Sequence, residues 1–90
     1  MQITSDPVKR IKTLAERGLD MYLADQVFAG KHFTALDNRA DYGEPRYITI
    51  GEMDDRMVVL VWTPRGTMRR IISMRKANAR EQERYARHLA

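Results

Sequence analysis

Arg46, Arg65, Arg70 and Arg75 are spread over three β-prone stretches and the turn between two of them. Glu81 and Tyr85 follow four residues apart on a polar helical stretch. A guanidinium presents a planar fork of N–H donors that matches phosphate oxygens bidentately, so arginines carried on strands suit the binding of a phosphodiester and of added negative charge on it. A carboxylate such as Glu81 or Glu44 can take a proton if its pKa is raised, and a phenol such as Tyr85 can orient a phosphate or donate a proton. Each has a plainer reading. Strand arginines are commonly solvated or ion-paired, and Glu44 and Arg46 can form a local pair. Glu81 stands three residues after Asn78, where it closes a capping box, and Tyr85 can simply anchor its helix.

The charge is unevenly placed. Residues 65–90 hold eight Arg or Lys against two Glu, whereas residues 1–64 hold eight basic and ten acidic groups. A net charge of +4 favours a polyanionic partner, such as RNA, DNA, an acidic protein or an anionic membrane surface, without choosing among them. Ninety residues at 43% hydrophobic content suit one domain, residues 1–90. With no Cys and two separated His residues, His32 and His88, neither a disulfide framework nor a zinc site is expected. The opening MQITSDPVKR has no long apolar core, and no apolar run approaches the roughly 20 residues that span a bilayer. A cytoplasmic location is the default expectation.

These side chains need elements to hold them. SDPVKRIKTLAERG reads as a helix with Asp6 as N-cap, Pro7 in its first turn, Val8, Ile11, Leu14 and Ala15 on one face, and Gly18 as its end. Asp20 starts a second helix over DMYLADQVFAG, with Ala24, Val27 and Phe28 apolar and Gly30 as the stop. The two helices are expected to pack together. KHFTAL, RYITIGEM, MVVLVWTP and TMRRIISMR then read as strands, with hairpin turns at MDDRM and Arg65–Gly66. MVVLVWT is apolar at both parities and belongs at the centre, with Trp62 in the core. ANAREQERYARHLA is a third helix with a thin apolar face of Ala79, Tyr85, Ala86 and Leu89. The expected fold is α+β: two N-terminal helices, a four-stranded antiparallel sheet and a C-terminal helix, ααββββα.

Strand parity ranks the arginines. Arg69, Ser73 and Arg75 share one parity, and Met68, Arg70, Ile72 and Met74 the other, which the Met and Ile residues mark as the core side. Arg70 and Arg75 then line one site only if a bulge intervenes.

The stretch GEPRYITIG, followed by VVLVWTPRG and RRIISMRKANAREQERY, resembles the BrnT family of type II toxins. These are small ribonucleases with a RelE-like fold. The resemblance is carried by the Arg-Ile-Ile-Ser-x-Arg run, by Ala77, Glu81 and Tyr85 at fixed spacing, and by Gly-Glu-x-Arg two strands earlier. The N-terminal third is similar through Asp6, Pro7, Lys9 and Gly18. It departs from the pattern at Ser5, where the family has an aromatic, at Thr13, where it has Asn, and at Glu16–Arg17, where it has Lys-His.

The resemblance implies a metal-independent endoribonuclease without cofactors. Such cleavage activates a ribose 2′-OH, stabilises a phosphorane and protonates the departing 5′-oxygen. The expected catalytic set is Arg65, Arg75, Glu81 and Tyr85, and the expected substrate-binding set is Lys9, Arg46, Arg69 and Arg80, with no metal ligands. The implied partners are RNA and a BrnA-like ribbon-helix-helix antitoxin, with operator DNA reached only through that antitoxin and no membrane. The alternative is a weak or inactive module that binds RNA or antitoxin and takes part in operon autoregulation.

Overall fold

Strands form where β-branched and aromatic residues gather, and the order in which they pair decides which side chains share a surface. The computed structural model describes residues 2–89, with side chains through residue 88. Five strands are present: β1 (Gln2–Ser5), β2 (His32–Leu36), β3 (Tyr47–Met53), β4 (Arg56–Arg65) and β5 (Met68–Lys76). The sheet order is β1-β5-β4-β3-β2. Pairing is antiparallel from β2 through β5, whereas β1 runs parallel to β5, with Gln2 opposite Met68 and Ser5 opposite Ile71.

The expected four-stranded antiparallel sheet behind two N-terminal helices is therefore corrected to a five-stranded mixed sheet that a strand, not a helix, begins. QITS is four residues long and lies directly before a capped helix, too short to show alternation. It becomes a strand because the β5 edge would otherwise leave its backbone groups unpaired.

Helix α1 (Pro7–Arg17) starts and ends as its sequence dictates. The Asp6 carboxylate accepts from the N–H groups of Val8 (2.8 Å) and Lys9 (3.4 Å), and Gly18 adopts the left-handed conformation (φ 67°), its N–H donating to the Leu14 carbonyl. The second expected helix is two pieces, a 3-10 turn over Met21–Ala24 capped by Asp20 and a short α2 (Asp25–Ala29). The β3–β4 hairpin turns through Asp54 and Asp55, both at positive φ (52° and 60°), as a two-residue turn matching the sheet twist requires.

The sheet carries two separate cores. On one face Leu60, Trp62, Ile71 and Met74 pack under Leu19, Met21, Ala24 and Val27 from the segment around the 3-10 turn and α2. On the other, Ile50, Val59 and Ala77 pack with Phe33, Ile48, Met57 and Tyr85, the last from helix α3 (Ala79–Leu89). This is why β4 is apolar at both parities. Helix α3 covers only part of its face, and the expected Leu89 contact lies outside the described residues.

The orientation of α1 reverses expectation. Arg10 and Thr13 turn inward, while Val8, Ile11 and Leu14 point to solvent at 75%, 69% and 47% exposure. The inward polar groups are partnered. The Arg10 guanidinium binds the Asp20 carboxylate (2.7 and 3.0 Å), and Arg17 donates to the Met74 carbonyl (2.7 Å), beyond the last β1 rung at Ile71. Arg17 stands where the resemblance places a histidine, and its role here is to tie α1 to β5.

Candidate active site

A single irregularity in β5 assembles the site. Val61 is opposite Ser73 and Trp62 is opposite Ile71, so Ile72 is an extra residue bulged out of the ladder. The bulge switches parity midway. Arg69, Ile71 and Met74 lie on the face covered by the N-terminal helices, and Arg70, Ser73 and Arg75 lie together on the other. The expected division, with Arg69 beside Arg75 and Arg70 in the core, is thereby corrected: a regular strand keeps one parity, and this strand does not.

Across the α3 side of the sheet, residues opposite one another form successive rungs. Phe33, Ile50, Val59 and Arg75 make one, and Ala35, Ile48, Val61 and Ser73 the next. Helix α3 closes one end of this surface and leaves a cavity of about 320 Å³, with an aliphatic floor of Ile48, Ile50, Val59 and Val61. Arg39, Arg75, Glu81, Ser73 and Tyr85 stand around it.

Arg75 is held by Glu81 through two hydrogen bonds of 2.6 and 2.7 Å. Glu81 also completes the capping box: its carboxylate accepts from the Asn78 N–H (3.0 Å), and the Asn78 side chain accepts from the Glu81 N–H (2.8 Å). These bonds, the Arg75 fork foremost, hold the Glu81 pKa at about 2, so it is an anion near neutrality. The same pair raises the Arg75 pKa, against burial and against the nearby positive charge of Arg39.

Arg39 is a site residue that sequence reasoning missed. It belongs to the turn-rich loop between β2 and β3, where nothing in its neighbours marks it. What fixes it is Asp37, whose side chain is fully buried and which receives Nε and a terminal nitrogen of Arg39 at 2.8 Å each, with the Tyr42 hydroxyl donating at 3.4 Å. The Arg39 bonds come first among the causes that lower the Asp37 pKa to about 2. The only available signal was the Asp-x-Arg spacing, which is common in loops.

Tyr85 packs its ring against Phe33 (centroids 5.7 Å apart) at the cavity wall, and His88 lies over the same Phe33 at 4.8 Å. Arg65 and Arg46 lie apart from Arg75. Both approach Glu44, at 3.1 and 3.7 Å, and Arg46 stacks on Tyr42 at 4.1 Å. Arg65 is opposite Met68, so roughly 20 Å of strand separates it from Arg75 at ~3.3 Å per residue. Arg70, opposite Thr63, falls between them on the same face.

Arg69 is on the other face. Its guanidinium lies over Phe28 (3.9 Å) and Trp62 (5.2 Å), its Nε is buried without a partner among the described residues, and burial lowers its pKa. Lys9 on α1 and Arg80 on the outer side of α3 are exposed, and neither lines the cavity. Of the eight expected residues, the structure brings together Arg75, Glu81 and Tyr85 and sets Arg46 and Arg65 at the far end of the same face.

Among the described residues no cluster of three or more His, Asp or Glu side chains is arranged to hold a metal ion, and no helix is long and apolar enough to cross a membrane. No curated protein matches the chain. Residues 6–81 match the family model described as "Ribonuclease toxin, BrnT, of type II toxin-antitoxin system". A toxin of that class implies an RNA substrate and an antitoxin partner.

Proposed function

We propose, from the premise that this chain belongs to the BrnT family of ribonuclease toxins of type II toxin–antitoxin systems, that it cleaves RNA without a metal ion on the α3 side of its sheet. The observation that carries the reading is the placement of Arg39 and Arg75 around one cavity with an aliphatic floor. Two fixed guanidinium groups of like charge near each other disfavour one another until an anion lies between them. A phosphorane, carrying more charge than the phosphodiester it comes from, gains more from them than the ground state does.

In this mechanism the ribose 2′-hydroxyl gives its proton to water as its oxygen bonds to phosphorus, and the P–O5′ bond breaks as O5′ takes up a proton, leaving a 2′,3′-cyclic phosphate and a 5′-hydroxyl. Arg39 and Arg75 stabilise the intermediate. Tyr85 is the neighbouring group with a hydroxyl to orient the phosphate or protonate the leaving oxygen. Glu81 is assigned a positioning role, because a carboxylate with a pKa of about 2 is a poor base near neutrality. Metal independence is supported by the pairing of the three carboxylates beside these arginines, Asp37 with Arg39, Glu44 with Arg65 and Glu81 with Arg75.

The partner proposed is a BrnA-like ribbon-helix-helix antitoxin that neutralises the toxin and carries it to operator DNA. The fully ionised Glu81 in the Arg75 fork also favours a second reading, a module that binds RNA or antitoxin and cleaves slowly if at all.

The test is cleavage of a defined single-stranded RNA by the purified chain in EDTA, together with Arg39→Ala and Arg75→Ala. Cleavage is expected to survive chelation, and each substitution to lower its rate by about 10²-fold or more. Activity abolished by EDTA and restored by magnesium would overturn the metal-free mechanism. Intact RNA under all conditions, with normal growth when the chain is induced alone, would favour the inert module.

A further inference from the structure

The outward face of α1 is built the wrong way round for a helix that serves only its own fold. An amphipathic helix on a globular domain turns its apolar side inward. Here Thr13 is buried and Arg10 and Arg17 are bonded into the body, while Val8, Ile11 and Leu14, spaced three apart, project into solvent. Lys9, Lys12 and Glu16 are exposed along one margin of this stripe, and Tyr22, 61% exposed, lies beyond Arg10, whose guanidinium sits 5.0 Å from its ring centre. A contiguous apolar surface with a charged rim is the usual anatomy of a protein contact.

We infer that this stripe is the docking site for an amphipathic helix of the antitoxin, one that places aliphatic residues on Val8, Ile11 and Leu14 and acidic residues beside Lys9 and Lys12. The identity of the occupant rests on the toxin–antitoxin reading, whereas the surface itself does not. Charge selects among the occupants. A second copy of this chain docked through the same stripe would bring Lys9 and Lys12 towards their own counterparts, a like-charge contact that the lone Glu16 beside them offsets only in part, whereas an acidic helix turns both lysines into attraction. RNA is a poor match, because the stripe puts three aliphatic side chains where a single strand needs stacking rings. An anionic membrane would meet the lysines but only a single short helix with three large aliphatic side chains. The helix packs on the sheet face opposite the Arg39–Arg75 cavity, so an antitoxin helix held here does not itself enter that cavity.

The experiment uses the full chain and the purified product of the adjacent reading frame, with Ile11→Glu and Lys12→Glu as variants. Both positions are exposed, so the fold should survive, which circular dichroism and melting would check. Isothermal titration is expected to show binding weakened about tenfold or more by Ile11→Glu and by a smaller factor by Lys12→Glu, with the RNA cleavage rate of the free variants within about twofold of wild type. Equal affinity for both variants and wild type would overturn the docking site. No binding by wild type would overturn the occupant, and because cleavage is measured separately the ribonuclease reading would stand or fall on its own result. Sedimentation showing a wild-type dimer that Ile11→Glu dissociates would assign the stripe to a second copy. Binding of wild type but not Ile11→Glu to phosphatidylglycerol vesicles would assign it to a membrane, and either outcome would overturn the inference.

Discussion

Asp37 and Glu81 are the two carboxylates whose ionisation the arginines of this surface stabilise, and both lose protons far more easily in the fold than in an unfolded chain. Their pKa values fall to about 2, from reference values of 3.8 and 4.5. A depressed folded pKa means that the stabilisation is fully present above the unfolded value and disappears as pH falls through the folded one. Melting temperature is therefore expected to hold from pH 7 to about pH 5 and to drop between about pH 4.5 and 2, with part of the drop absent in Asp37→Asn and part in Glu81→Gln. A melting profile flat to pH 2 would contradict the pairing. Glu81→Gln also separates positioning from proton transfer, since glutamine can still accept the capping bond from Asn78 but cannot act as a base. Its single-turnover rate is expected within about tenfold of wild type, and a loss beyond about a hundredfold in a normally melting protein would make Glu81 the base.

At the scale of elements, β3 depends on one close approach. A Cβ at Gly51 would come 2.8 Å from Cγ1 of Val27 in α2 and 3.2 Å from both the His32 Cβ and the Lys31 carbonyl oxygen. Two of those three are at or near the backbone and cannot swing away. Gly51→Ala is expected to cost roughly 1–3 kcal/mol in urea unfolding, and an unchanged midpoint would mean that α2 is free to shift. How far the elements were legible follows from the strength of their local signals. β2 to β5, α1 and the capping box of α3 stand where periodicity, caps and turn residues agree. β1 was not legible, because four residues with one large aliphatic show no period. The facing of α1 was misread because periodicity reveals that an apolar stripe exists and not whether the stripe meets the domain's own core or a partner. The β5 bulge was foreseen only as a condition. Its position depends on how β4 and β5 each pack against two different cores, which no window of β5 alone contains. Arg39 was missed because its placement comes from a buried Asp37 two residues away, a tertiary fact written in an ordinary loop.

Across the whole molecule the two faces of the sheet separate two kinds of surface. One carries the N-terminal helices with their exposed aliphatic stripe, and the other carries α3 and the arginines from Arg75 through Arg70 to Arg46 and Arg65. Of the C-terminal positive charge, Arg69 and Lys76 take the helix-covered face, whereas the β5 bulge turns Arg70 and Arg75 to the same side as Arg65. Arg70, with no carboxylate partner among the described residues, contributes an uncompensated charge in the middle of that track. If a single strand of RNA spans it with three or four phosphate contacts, log K should fall with log salt at a slope of about −2 to −3, roughly 0.7 for each phosphate neutralised. Arg70→Ala should make that slope shallower by about 0.7 and weaken binding on all sequences alike, because a phosphate contact carries no base information. Lys12→Glu serves as the control: it changes net charge by more than Arg70→Ala does but lies on the α1 surface, so the slope should stay near that of wild type. A slope that instead tracked net charge, falling further for Lys12→Glu than for Arg70→Ala, would mean that RNA is attracted by the molecule as a whole and that the arginine track is not its path.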